Sequence, residues 1–420
     1  MFKKLFGTYT LKTEFTAGLS VFLAMVYIVP LNALILSQAG MPYEAVVTAT
    51  ALITFFATAV NAIYAKTPIA LSVGMGLNAY FTFGLVKGLG MTWQSALGVV
   101  FASGVIFVLL SLSPFRRIAL QHIPVDIRRA IAAGIGAFLA FIALKQMGIV
   151  ISDPVTFVKL GHLGDPSVLL GLGITLLIFI LHANNIKGAF IIAIATGATI
   201  AWFMGLKAFP ESLFSMPASM SPIMFELDFT AFSSLAVIPV VIAFLVTDVF
   251  DSVGTLTGVG GKIFKNSDKL EKTLQTDAVF SAVGALFGLS TVTAFVESAV
   301  GVEQGGRTGL STLFTAVFFL LTLFMLPLFA SIHPNAIYPV LIIVGIFMFN
   351  DVAKIDFSDF ATSSSSFLII TMIPFTTSIA TGLALGMVNY VIIKIAKREF
   401  KDLNVELLFL TMFSSLILFV

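Results

Sequence analysis

Carboxylates interrupt two otherwise apolar stretches of the chain. Asp248 and Asp251 stand in FLVTDVFDSVGTLTGVGG, and Glu297 stands in STVTAFVESAVGVEQGG. A carboxylate at bilayer depth costs at least about 2.5–3.5 kcal/mol, so such a group is a functional candidate by default. Its chemistry is to accept hydrogen bonds and to take up or release a proton. Three residues apart, Asp248 and Asp251 share one helix face. Two acids this close do not both ionise cheaply, which suits proton coupling. Thr247, Gly254 and Thr255 extend a small, polar stripe, and Gly254 with Gly258 forms a G-x-x-x-G step for close helix approach. The bland alternative is an Asp pair that bonds a neighbouring helix. A divalent metal site on the D-x-x-D spacing would need a second acidic cluster and a basic diphosphate pocket, and the sequence holds neither. Glu297 should sit at the start of a short helix, where an N-terminus favours an anion. Glu303 and Arg307 read as an i,i+4 ion pair.

The elements that hold these residues must lie in a membrane. Of 420 residues, 58% are hydrophobic and 10% charged, and 43 are Phe; an average soluble protein is about 25% charged. That excludes a cytosolic enzyme, a disordered chain and a nucleic-acid binder. Cysteine is absent, so disulfides, thiolate metal sites and Cys nucleophiles are excluded too. Apolar runs cover 15–38, 44–65, 67–86, 93–113, 127–149, 166–183 and 187–205, then 233–257, 274–289, 292–302, 308–330, 335–351, 362–377 and 379–396. The first run is too long for a cleaved signal peptide. With fourteen crossings and a cytoplasmic N-terminus, 19 of the 23 Lys and Arg fall inside; only Lys87, Lys145, Lys159 and Lys207 fall outside. Omitting one crossing would spoil this asymmetry. The apolar stretch 405–420 is read as lying in the interface or against the bundle rather than as a fifteenth crossing.

Seven spans (1–205) and seven more (233–396) flank a polar, extracytoplasmic linker at 206–232, with a tail at 397–420. An odd number per half forces opposite orientations, the arrangement of inverted-repeat secondary transporters. HIPVDIRRAIAAGIGAFLAF and SIHPNAIYPVLIIVGIFMF show weak similarity at spans five and twelve. Spans three and ten are the unusual pair. Span three carries Pro68, Gly74, Gly76 and Asn78; span ten is short, rich in Ser and Thr, and ends in Gly305 and Gly306. Broken segments at matching positions point to the binding site, because they free backbone groups that a polar ligand can satisfy.

The strings TEFTAGLSVFLAMVYIVPLNALIL, PIALSVGMGLNAYFTF, TDVFDSVGTLTGV and TVTAFVESAVGVEQGGRTGL resemble the adenine/guanine/hypoxanthine (AzgA-like) permeases. These form a branch of the nucleobase transporter superfamily whose other members carry uracil and xanthine. The resemblance runs to about residue 396. It implies an all-α polytopic fold of fourteen segments in two inverted repeats, with short strands in spans three and ten. A core domain (about 15–113 and 233–330) would move against a gate domain (about 127–205 and 335–396). It also implies proton-coupled uptake of a purine base, with no cofactor besides the proton, in the cell (plasma or inner) membrane. Asp251 and Glu297 match the acidic positions of spans eight and ten, and Asn78 a polar position of span three. Where uracil carriers have Glu-His, this chain has Asp251-Ser252, so no imidazole role carries over.

A purine is flat and apolar on its faces and polar at its edges. Asp251 and Glu297 would accept from its N–H groups, and Asn78 could donate and accept. Ser298 and the backbone near Gly76 and Glu297 would line the site, and Tyr80, Phe83, Phe250 and Phe295 are candidates to cover the ring faces. Asp248, Asp251 and Glu297 are the proton-coupling candidates, Glu297 foremost. The expected partners are a purine nucleobase and the lipid bilayer; a homodimer is open, nucleic acid is not expected. The rivals are an anion carrier of the same fold, an intramembrane enzyme and a channel. The first should be electropositive at its centre. The second lacks Cys, and His122, His162, His182 and His333 all sit at span ends or in loops.

Overall fold

The computed structural model describes residues 9–113, 124–235, 237–256, 259 and 267–419. Arg116, Arg117, His122, Gly258, Lys262 and Lys265 lie outside the described residues. The chain is mostly helical, and eight helices among the described residues are long and apolar enough to cross a membrane. It is a multi-pass membrane protein.

The first half runs α1 (Leu11–Met25), α2 (Ile28–Ser37), α3 (Tyr43–Tyr64), β1 (Leu71–Val73), α4 (Met75–Ala79), α5 (Trp93–Leu112), α6 (Val125–Gln146), β2 (Val150–Asp153), β3 (Phe157–Leu160), α7 (Pro166–Ala183) and α8 (Ala189–Phe203). The second runs α9 (Val237–Thr255), α10 (Ser267–Leu286), β4 (Val292–Ala294), α11 (Ser298–Glu303), α12 (Gly309–Leu321), α13 (Pro339–Phe349), α14 (Phe360–Thr376) and α15 (Ile379–Ala396), followed by α16 (Val405–Ser415). One packing group joins α1–α5 with α9–α12; another joins α6–α8 with α13–α15.

The feature that positions everything else is the antiparallel pairing of β1 with β4, from opposite halves of the chain: Leu71 with Ala294, Ser72 with Thr293, Val73 with Val292. These are the stretches read as spans three and ten. Each strand has only three residues, and its outer edge must find partners inside the protein. The helices behind supply them. On α3, Thr58 Oγ1 donates to the carbonyl of Leu71 (2.7 Å) and accepts from its N–H (3.1 Å). On α10, Ser281 Oγ does the same for Val292, at 2.8 and 3.1 Å. Leu71 and Val292 each precede the central residue of their strand, so the two halves solve one problem in one way.

Close helix approach is bought with glycine, at places other than the one expected. A Cβ on Gly104 of α5 would lie 2.7 Å from the backbone nitrogen of Ala282 on α10, and one on Gly136 of α6 would strike the carbonyl of Gly345 on α13. Gly254, by contrast, has open space where a Cβ would go. At Gly254 the face of α9 borders a cavity rather than another helix, and Gly258, the other glycine of the expected G-x-x-x-G step, lies outside the described residues.

The linker at 206–232 folds back on the first packing group. The Phe225 N–H donates to Leu286 O and Asp228 N–H to Gln94 O, and Ile223 is buried against Gly288. At the opposite end, Lys394 pairs with Asp359 (3.2 Å), Glu399 (2.7 Å) and Asp402 (2.8 Å). The tail helix α16 packs against α15 and α9, burying Leu407, Thr411 and Ser414.

Asp359 also caps α14, accepting from the Thr362 N–H at 3.2 Å. The Lys397 ammonium beside it holds its carboxyl well below the usual carboxylate range. A group shifted this way contributes stability above its unfolded value and loses it as pH falls through the folded one. Asp359→Ala should therefore cost about 1 kcal/mol of stability at neutral pH, and the gap to wild type should close as the solution is acidified below the carboxylate range. Thermal melts in detergent at several pH values check this.

Candidate functional site

A cavity of about 620 Å³ lies where the two packing groups meet. Its inner wall comes from α9 and from the turns that follow the paired strands. From α9 come Thr247, Phe250, Asp251, Gly254 and Thr255; from β4 and the turn after it, Thr293 to Glu297; from α4, Met75 and Gly76. Tyr27, in the break between α1 and α2, completes this side. The facing wall is Ile131, Ile135, Val344, Phe347 and Met348 of α6 and α13, and the far end carries Arg128, Arg129, Asp351 and Lys354. Pockets of this size, mostly apolar with few polar groups, are what small-molecule sites look like.

The structure brings five of the expected residues to the cavity: Asp251, Glu297, Gly76, Phe250 and Phe295. Asp251 is partly exposed to it. Glu297 is buried and begins α11, but its side chain does not cap that helix. Its Oε1 instead accepts a 2.6 Å bond from the Tyr27 hydroxyl. The Tyr27 ring in turn lies 4.9 Å from that of Phe190 on α8, in the other packing group. Gly76 is required for closeness, since a Cβ there would meet Ile135 Cγ2 at 2.5 Å. The Phe250 ring lies 5.6 Å from the Arg128 guanidinium, a cation–π distance.

Five expected residues are placed elsewhere. Asn78 is fully buried off the cavity wall; its amide donates to Asn32 Oδ1 (2.6 Å), and Asn32 donates to Thr50 (2.8 Å). Tyr80 stacks on Phe244 with centroids 5.1 Å apart. Ser298 accepts the Ala70 N–H at 3.0 Å and so joins the two broken spans. Asp248 turns away from the cavity toward α10, where Ser281 donates to it at 2.9 Å. Three residues on a helix are about 60° short of a full turn, enough for Asp251 to face the cavity and Asp248 the helix behind. Phe83, also a candidate ring face, is buried outside the cavity lining. The expected Glu303–Arg307 ion pair does not form: the Arg307 side chain bonds the carbonyls of Val302 and Gly306. The carboxylate at that end is Glu14, which accepts from the N–H groups of Arg307 and Ser311, both at 3.1 Å.

Two residues of consequence escaped the sequence. Tyr27 carries no signal among so many aromatics. Asp277 looks like the end of the charged run SDKLEKTLQTD, yet it is fully buried and accepts the Ala294 N–H at 3.1 Å.

Comparison with known proteins decides the class. Residues 12–385 match the Xan_ur_permease model, described as a permease family. The chain belongs to this permease family. It is 39% identical to the guanine/hypoxanthine permease PbuO of Bacillus subtilis, over 94% of each chain. It is 36% identical to the adenine permease AdeQ of Escherichia coli, over 94% of this chain and 90% of that one. Among solved structures, the transmembrane domain of the cyanobacterial bicarbonate transporter BicA shares the fold, with a TM-score of 0.63 at 16% identity over 91% of this chain and 96% of that one. The protein is a transporter, not an enzyme.

Tyr27 holds one oxygen of Glu297, a residue of the cavity lining. Tyr27→Phe should lower the thermal midpoint, because a buried carboxylate loses a donor, and weaken solute binding by about ten- to a hundredfold, the worth of one hydrogen bond to a charged group. Binding titrations on the purified permease check this.

Proposed function

We propose that this permease imports purine nucleobases, adenine, guanine or hypoxanthine, by proton symport and alternating access. The observation that carries the reading is the juxtaposition of Asp251 and Glu297 on one cavity wall with Phe250 and Phe295 beside them. Two acceptors match the N–H groups on a purine edge, and the aromatic rings match its faces. Relatives of similar length named for guanine/hypoxanthine and adenine support the substrate class.

The segments α1–α2, α3, β1 with α4, α5, α6, α7 and α8, with their counterparts α9 to α15, make fourteen crossings in two inverted repeats. The matched roles of Thr58 and Ser281 at β1 and β4 support the repeat. The group α1–α5 with α9–α12 is the core that carries the substrate; the group α6–α8 with α13–α15 is the gate. Arg128, Arg129 and Lys354 mark the cytoplasmic end of the cavity by the positive-inside rule, so this conformation faces inward, in a cell membrane with the N-terminus in the cytoplasm. The coupling proton resides on the acidic set that includes Asp251, Glu297 and Asp248. An anion carrier of the same fold fits less well, because two carboxylates, Asp251 and Glu297, line the cavity beside the paired strands.

The test is binding by the purified protein across adenine, guanine, hypoxanthine, xanthine and uracil, with Asp251→Asn and Glu297→Gln beside wild type. A purine should bind, and each substitution should weaken it by about ten- to a hundredfold, the range for hydrogen bonds to charged groups. No purine binding by wild type, or unchanged affinity in both variants, would remove the reading.

A further inference from the structure

A second acidic compartment lies behind β4, outside the cavity lining. Asp248 of α9 and Asp277 of α10 are both fully buried. Both reach the strand's surroundings: Asp248 takes a bond from Ser281, the residue that satisfies Val292, and Asp277 takes the N–H of Ala294. Asp248 lies beside the Thr291 hydroxyl and Asp277 beside that of Ser252, yet one oxygen of each acid lacks a well-formed hydrogen bond, and the Ser290 hydroxyl next to the strand is buried without a partner. No Lys, Arg or His among the described residues pairs with either acid. The charged group nearest along α9 is Asp251; α5, β1 and β4, packed around the pair, carry no titratable side chain, and Tyr64 of α3 is engaged at half-exposed Gln275. A dry compartment cannot hold two unpaired negative charges cheaply.

The inverted repeat shows that the fold does not need an acid there. Thr58 and Ser281 play the same role, and the residues four earlier on the same helix faces are Thr54 and Asp277. Thr54 fills its slot as a neutral hydroxyl, 2.7 Å from Ser72. The first repeat closes the back of its strand without charge; the second closes it with a carboxylate.

We propose that Asp248 and Asp277 form a proton-binding pair that stores the coupling proton apart from the carboxylates that hold the substrate. Asp251 connects the two places. It takes a proton from cavity water, passes it one turn along α9 to Asp248, and returns to a carboxylate able to bind the base. Asp248 and Asp277 then share that proton, and the core crosses the membrane with one fewer buried charge. This rests on the purine-symport reading, which it deepens by dividing the acids into a substrate set and a proton set.

The experiment uses the purified full chain in liposomes, with labelled hypoxanthine or adenine, for wild type, Asp277→Thr (the first repeat's solution) and Asp277→Asn. Two rates separate the roles: exchange between equal pools, which needs no net proton movement, and accumulation driven by an imposed proton gradient. One proton moved through 100 mV supports about fiftyfold accumulation of a neutral solute. The variants should retain exchange while accumulation falls to unity. Full accumulation in either folded variant, loss of exchange in both, or accumulation in wild type driven by a sodium gradient instead would overturn the pair. Infrared spectroscopy of substrate-free wild type supplies a readout independent of any purine. A protonated-carboxyl stretch at neutral pH, absent from Asp277→Thr, supports the proposal, and its absence from wild type contradicts it. Failure of wild type to exchange any purine would instead strike the substrate reading.

Discussion

Backbone that is neither helix nor closed barrel can exist at membrane depth only where protein, or water or a ligand in a cavity, satisfies its N–H and C=O groups. Here two strands of three residues meet edge to edge at the centre of the bundle, and the constraint falls on their outer edges. Thr58 and Ser281 meet it by donating to and accepting from a single strand residue each. Once the strands are fixed, the turns that follow them have fixed starting points. Met75 and Gly76 open one, Phe295 to Glu297 the other, and both face the same cavity. The inner wall of the cavity is therefore a by-product of how the strand pair is held.

The same constraint sorts the acids. A carboxylate can serve a buried strand by accepting a backbone N–H, as Asp277 does for Ala294, or it can face a cavity, as Asp251 does. Asp248 and Asp251, three residues apart, point different ways, Asp248 to the Ser281 hydroxyl behind the strand and Asp251 to the cavity, because the helix passes between strand and cavity. Tyr27 adds a different link. It sits in the break of the first span, holds Glu297, and lays its ring beside Phe190 of the opposing group. Glu297 is thus tied through one side chain to the interface between the two packing groups.

Much of this was legible in the sequence, for physical reasons. Long apolar runs report spans because lipid tolerates nothing else. Gly74 and Gly76 in one run, and Ser and Thr crowded before Glu297 in another, report broken spans because such residues are wasteful in a lipid-facing helix. The cavity-facing acids Asp251 and Glu297 stood out against that background. Side-chain direction did not. Asn78 and Ser298 are polar residues at the right depth, yet one bonds Asn32 and the other the Ala70 N–H, because strand and helix ends needed donors and acceptors of their own. Asp277 was hidden by the charged residues before it, and Tyr27 by the abundance of aromatic rings. Glu14, an N-terminal acid with no visible partner in sequence, closes the start of α12 through contacts 293 and 297 residues away along the chain.

The central claim, that a flat base is gripped by acids beside paired broken spans, is tested most directly by an experimental structure of the permease with hypoxanthine bound. The expected result is ring density between Phe250 and Phe295, with its edge within hydrogen-bond distance of Asp251 and Glu297. Density beside Asp351 and Lys354, or a ligand that touches neither acid, would contradict it.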